Sequence, residues 1–128
     1  MTSRAALLSA IALAGCGHAA TTPYQAAFAE AERAEVAGRY PEASSDFDRA
    51  AAIAPDPREK AHAEYASAEM SIRAGDRATG ATKLRAIANA NPPGEHSAQA
   101  AYEVASIEIQ EGDANGWAEL EKTMARFP

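Results

Sequence analysis

Ala37-Gly38-Arg39-Tyr40-Pro41-Glu42-Ala43, followed at fixed offsets by Phe47, Ala50 and Pro55, is the stretch that decides the fold. Gly38 is placed to end one helix in the left-handed conformation that glycine adopts without steric cost. Ala43 and Ala50 let two helices approach closely, and Phe47 fills the gap between them. Pro55 ends the pair, because the residue before a proline resists the helical region. The same marks recur. Gly38, Gly75 and Gly112 stand 37 residues apart, as do Pro55 and Pro92, while Pro92 and Pro128 are 36 apart. A fixed period in this range means stacked helical hairpins.

The rest of the chain from Thr22 agrees. Ala, Glu, Arg and Leu dominate, β-branched residues are few, and strand-like alternation is largely absent. Thr22-Pro23-Tyr24-Gln25 reads as a capping box with proline at the first helical position, and Asp56-Pro57-Arg58-Glu59 repeats that grammar. Asp76 and Asp113 each follow a turn glycine and are placed to cap the next helix. The pattern predicts helices over 23–37, 41–54, 57–74, 77–91, 96–111 and 115–127. Ala31, Ala68 and Ala105 recur at the same period and read as close helix contacts. The expected fold class is all-α, in one domain over 22–128 with hairpins near 23–55, 57–92 and 96–128.

The first hairpin resembles the tetratricopeptide repeat, with its turn glycine, an aromatic two residues later, and small, aromatic, small and proline positions at fixed offsets. Gly38, Tyr40, Ala43, Phe47, Ala50 and Pro55 occupy those positions. The second hairpin keeps Gly75-Asp76, Gly80, Leu84 and Pro92 but has Arg77 where the family has an aromatic. The third keeps Gly112-Asp113, Leu120 and Pro128, has Ala114 at the aromatic position and lacks one residue before Gly116. The resemblance implies a right-handed stack of about three hairpins and says little about the partner. Asn91-Pro92-Pro93-Gly94-Glu95-His96 before Ala100-Ala101-Tyr102 also looks like the repeat lipoproteins that serve outer-membrane assembly and cell-envelope coordination.

Phe28, Tyr65 and Tyr102 hold one position in the first helix of each hairpin. In domains of this family that helix lines a concave groove, and this position commonly faces it. Gln25, Glu32, Glu35, His62, Glu69, Arg73, Ser106 and Gln110 are then its neighbours. Such a groove, with an aromatic floor and polar walls, would hold an extended peptide or a helix. The other reading is that the three rings pack between adjacent hairpins, as aromatics at repeat spacing usually do. On the last helix Trp117, Leu120, Met124 and Phe127 lie three or four apart on one face. A solenoid normally covers its last hairpin with a polar-faced helix, and this sequence stops at Pro128. The stripe is either folded back into the core or an edge that self-associates or docks a partner.

The opening segment carries Arg4, an apolar run from Ala5 to Leu13, and Leu13-Ala14-Gly15-Cys16, whose cysteine is the only one in the chain. The run suits a secretory signal and is too short to span a bilayer. It resembles the lipoprotein signal sequences of bacteria. That resemblance implies loss of residues 1–15, lipid on Cys16 and a short linker through residue 21. Several acyl chains make such anchoring stable, whereas one alone is marginal. Gly17 stands where an Asp often retains Gram-negative lipoproteins in the inner membrane, so the resemblance favours the outer membrane, facing the periplasm.

Charge narrows the partners. The chain has 12 Lys+Arg against 18 Asp+Glu; loss of Arg4 with the leader leaves 11 against 18. Such a surface disfavours nucleic acid and anionic lipid, so attachment to the membrane falls to the lipid on Cys16. With Cys16 acylated no disulfide forms, and packing alone must hold the fold. His18, His62 and His96 lie far apart on different elements, no second cysteine supplies metal spacing, and no Gly-x-Ser-x-Gly elbow or phosphate-binding loop is present. Glu30, Glu32 and Glu35 read as a solvated acidic face. No cofactor, metal or catalytic residue is expected. The functions left open are a lipid-anchored adaptor for a protein or peptide, an assembly subunit working through its C-terminal edge, and an accessory protein binding a small or cell-wall ligand.

Overall fold

Thr22 opens the first helix by a reciprocal cap. The Gln25 N–H donates to its hydroxyl at 3.1 Å, and the Thr22 N–H donates to the Gln25 carboxamide oxygen at 3.0 Å. The Asp56 carboxylate accepts from the N–H groups of Arg58 and Glu59, and the Asp76 carboxylate from that of Thr79. These caps satisfy backbone donors that a helix leaves open at its start. A computed structural model of the protein describes residues 20–128. The leader, Cys16, Gly17 and His18 lie outside the described residues.

Six helices follow one another: α1 Pro23–Val36, α2 Tyr40–Ala52, α3 Pro57–Arg73, α4 Arg77–Ala88, α5 Ser97–Gln110 and α6 Gly116–Arg126. The described residues contain no strand, so their fold is all-α. Every helix bound falls within two residues of the expected one except the end of α4. Helix α4 stops at Ala88, because Ser97 donates its hydroxyl to the Ile87 carbonyl at 2.9 Å and ties the following loop to the helix end. Asp113 does not cap α6. Its carboxylate accepts from the Asn115 N–H at 2.9 Å in a local turn, and Asn115 takes the cap position without a side-chain bond.

The glycines end the first helix of each pair as their spacing requires. Gly38, Gly75 and Gly112 have φ of 73°, 89° and 75°. In each case the next residue's N–H bonds back to a carbonyl five residues earlier: Arg39 to Ala34, Asp76 to Ser71 and Asp113 to Glu108. That pattern is a Schellman turn, and it needs a left-handed residue. A Cβ on Gly38 would meet nothing within 4 Å. The cost of Gly38→Val is therefore backbone strain alone, about 1–2 kcal/mol. A thermal melt followed by circular dichroism should show the loss; an unchanged midpoint would mean that this turn does not set the helix end.

Consecutive helices make the main packing contacts. The odd helices also touch side by side. The Tyr24 hydroxyl donates to the Glu59 carbonyl at 3.0 Å, and the Tyr65 hydroxyl donates to the Glu103 carboxylate. The even helices touch through Lys83 and Asp48 at 2.8 Å, and through Arg126, which donates to the Ala88 and Ala90 carbonyls at the end of α4. The molecule thus has two layers, α1-α3-α5 and α2-α4-α6. Between them Ala31, Ala43, Ala50, Ala68 and Ala105 are fully buried. Gly80 and Gly116 occupy the place of Ala43 in the later pairs and are buried too. Phe47 and Leu84 fill the interior, while Leu120, at the matching place on α6, is only half-buried. Pro55, Pro92 and Pro128 are exposed beyond the second helix of each pair.

Candidate functional site

The face built by α1, α3 and α5 carries most of the chemically distinctive side chains. A line of rings crosses it. Phe28 meets Phe47 edge-on with centroids 5.0 Å apart and stacks on His62 at 5.2 Å. His62 approaches His96 at 5.6 Å, and His96 stacks on Tyr65 at 4.7 Å. The imidazoles thus bridge one hairpin to the next. His62 is exposed, and His96 is half-buried against Tyr65. Tyr24, Phe28 and His62 floor an open cleft at the starts of α1 and α3, rimmed by Asp56, Glu59 and Glu95.

Further along the face lies a charged band. Arg73 pairs with Glu35 at 2.9 Å, and its guanidinium stands 6.0 Å from the centroid of the half-buried Tyr40 ring. Burial raises the Glu69 carboxyl above the usual carboxylate range; Glu103 adds to this and Arg73 opposes it. Burial likewise raises the Tyr65 phenol, helped by its hydrogen bond to Glu103. Glu32 and Ser106 are exposed on α1 and α5.

The three aromatics of the candidate groove part company here. Phe28 is half-buried between its neighbours. Tyr65 is only 6% exposed, because Glu103 of α5 and His96, the residue that precedes α5, lie over it. It is a packing residue and leaves the candidate groove. Tyr102 is 38% exposed, and its hydroxyl donates to the Phe127 carbonyl at 3.3 Å. The apolar stripe of the last helix splits as well. Trp117 and Met124 are exposed, at 65% and 57%. Phe127 lies past the end of α6, half-buried against the core of α3–α5. The four residues therefore do not form one common edge.

The sequence reading missed a polar knot where α2, α3 and α4 meet. The Ser44 hydroxyl lies 3.1 Å from that of Ser67 and 2.9 Å from that of Ser71, and Lys83 donates to Ser67 at 2.6 Å and to Asp48 at 2.8 Å. A serine beside a lysine can be a nucleophile and its base. Here Ser67 is fully buried, and the Lys83 amine is engaged by the Asp48 carboxylate at 2.8 Å. The knot joins three helices. Its trace in the sequence is Ser67 and Ser71, four apart at helix positions where other buried residues are apolar. Among the described residues no group of three His, Cys, Asp or Glu side chains converges as a metal site would, and no helix is long and apolar enough to cross a membrane.

No family model, curated protein or solved structure matches the chain.

Proposed function

We propose that this chain is a lipid-anchored repeat scaffold of the tetratricopeptide type, a right-handed stack of three helix hairpins that binds a protein or peptide in the bacterial cell envelope. Cys16 carries the lipid and tethers the stack to the outer membrane, on the periplasmic side. The protein acts by binding, not by catalysis. The observation that carries the reading is the match between spacing and geometry. The small residues that set the period behave alike: Ala31, Ala68 and Ala105 are fully buried, and Gly38, Gly75 and Gly112 all make the same left-handed turn. Repeats that bury only against their neighbours build extended surfaces, and binding is the use such surfaces serve. The face of α1, α3 and α5 offers the aromatic cleft of Tyr24, Phe28 and His62, rimmed by Asp56, Arg58, Glu59 and Glu95, a mixture suited to a peptide with both apolar and charged side chains.

The full chain, expressed in a Gram-negative host with a photo-cross-linking amino acid at position 32 or 62, tests both halves of this reading. Discrete adducts should form from those positions and not from 45 or 82, which are exposed on the other layer. The membrane form should lack residues 1–15 and carry a heavy adduct on Cys16, and Cys16→Ser should release it to the soluble fraction. Equal cross-linking from both layers would remove the groove; a Cys16→Ser form held as firmly in the membrane would remove the anchor.

A further inference from the structure

The second helix of each pair shows what is uncovered at the far end. Ser44 and Ala51 on α2, and Ala81 and Ala88 on α4, are buried beneath the first helix of the next pair. Asp48 and Arg85, between them, pair with charges beyond their own hairpin: Asp48 with Lys83 of α4, and Arg85 with Glu108 of α5 at 2.8 Å. On α6 the matching residues are Trp117, Glu121 and Met124. Trp117 and Met124 are exposed, and Glu121 makes no ion pair with any described residue. Tyr102 is exposed where its counterpart Tyr65 is covered by α5. Tyr102, Ser106, Trp117 and Leu120 line a shallow groove between α5 and α6.

From this register we infer that the α5–α6 groove is the seat of one amphipathic helix from a partner chain, docked as α3 docks on α1–α2 and α5 on α3–α4. The inference rests on the repeat reading above and adds the chemistry of the partner. Trp117 and Met124 replace small residues, so the incoming helix must itself be small where it faces them. The place of Ser67 or Val104, which lies over the position of Trp117, must be alanine or glycine. Glu121 asks for a lysine or arginine at the place where α5 has Glu108. A second copy of the chain supplies neither. The matching places on its α1 are Glu30 and Ala34, and Glu30 already lies 3.8 Å from Arg49.

Trp117 is the only tryptophan in the chain, so its emission reports coverage of the groove directly. The probe is a stapled helical peptide of residues 97–110 carrying Val104→Ala and Glu108→Lys, titrated into the purified full chain; the staple removes the folding cost of a short helix. Trp117 emission should shift to the blue and saturate. A peptide that keeps Glu108 should bind about tenfold more weakly, and Glu121→Lys on the protein should reverse that order. Met124→Glu should abolish the shift while leaving the circular dichroism melt intact, since Met124 supports nothing beneath it. Emission unchanged at saturating peptide overturns the proposal. So does a blue shift that grows with protein concentration alone, which would give the face to a second copy. Failure here with cross-linking retained at position 62 removes this site and leaves the scaffold reading standing.

Discussion

Phe47→Ala should destabilise the protein by about 3–5 kcal/mol, the range for emptying a buried phenylalanine site. Among the described residues Phe47 is the largest fully buried side chain. It packs among Ala31, Ala34, Ala43 and Met70, and Phe28 meets its ring edge-on. The lining explains the size of the effect. Three of those neighbours are alanines, whose side chains cannot rotate into the space left behind, so the void persists. A domain of this size has only about 5–15 kcal/mol to lose. Urea denaturation should show the midpoint falling sharply, and Phe47→Leu should recover more than half of the loss. A fall of under about 1 kcal/mol would mean that the first two hairpins close over the gap.

Gly116→Ala should cost about 1–3 kcal/mol although alanine is the better helix former. A Cβ there would stand 2.7 Å from the Ile109 nitrogen, 2.9 Å from its Cγ1 and 3.0 Å from the Glu108 carbonyl carbon. Two of those atoms belong to the α5 backbone and cannot move without shifting that helix. Gly80, one period earlier, provides the control. Its Cβ would meet the Ile72 Cγ1 at 2.4 Å and the Ala68 carbonyl oxygen at 3.1 Å. The worst clash there is with a side chain that can turn away, so Gly80→Ala should cost less. Parallel denaturation curves decide the order. A neutral Gly116→Ala would mean that α5 and α6 are not held so close.

Local grammar made the helices legible. A left-handed glycine, a capping threonine or aspartate and a proline beyond the helix act within about five residues, so their outcome is written where they stand. Gly38, Gly75 and Gly112 show this: each turn is made by bonds that reach back five residues. Asp113 shows the limit. With one residue fewer before Gly116 its carboxylate meets the Asn115 N–H in a turn, and α6 begins uncapped by any side chain. A cap depends on loop length as well as residue type.

By itself the amino-acid sequence determined the all-α class of the described residues, the order of six helices and the three glycine turns, because backbone conformation at glycine, proline and cap positions follows from short-range sterics and hydrogen bonding. Only the tertiary structure decided which repeated residues are covered. Tyr65 and Tyr102 hold the same place in their hairpins, yet one is buried and the other exposed, since only Tyr65 has a following helix among the described residues to lie over it. His62 and His96, 34 residues apart, come to face each other for the same reason, and Lys83 reaches Ser67 and Asp48 on two other helices. Burial and long-range pairing belong to the stack as a whole, so the period of 37 names the positions while the neighbouring hairpin assigns each its exposure.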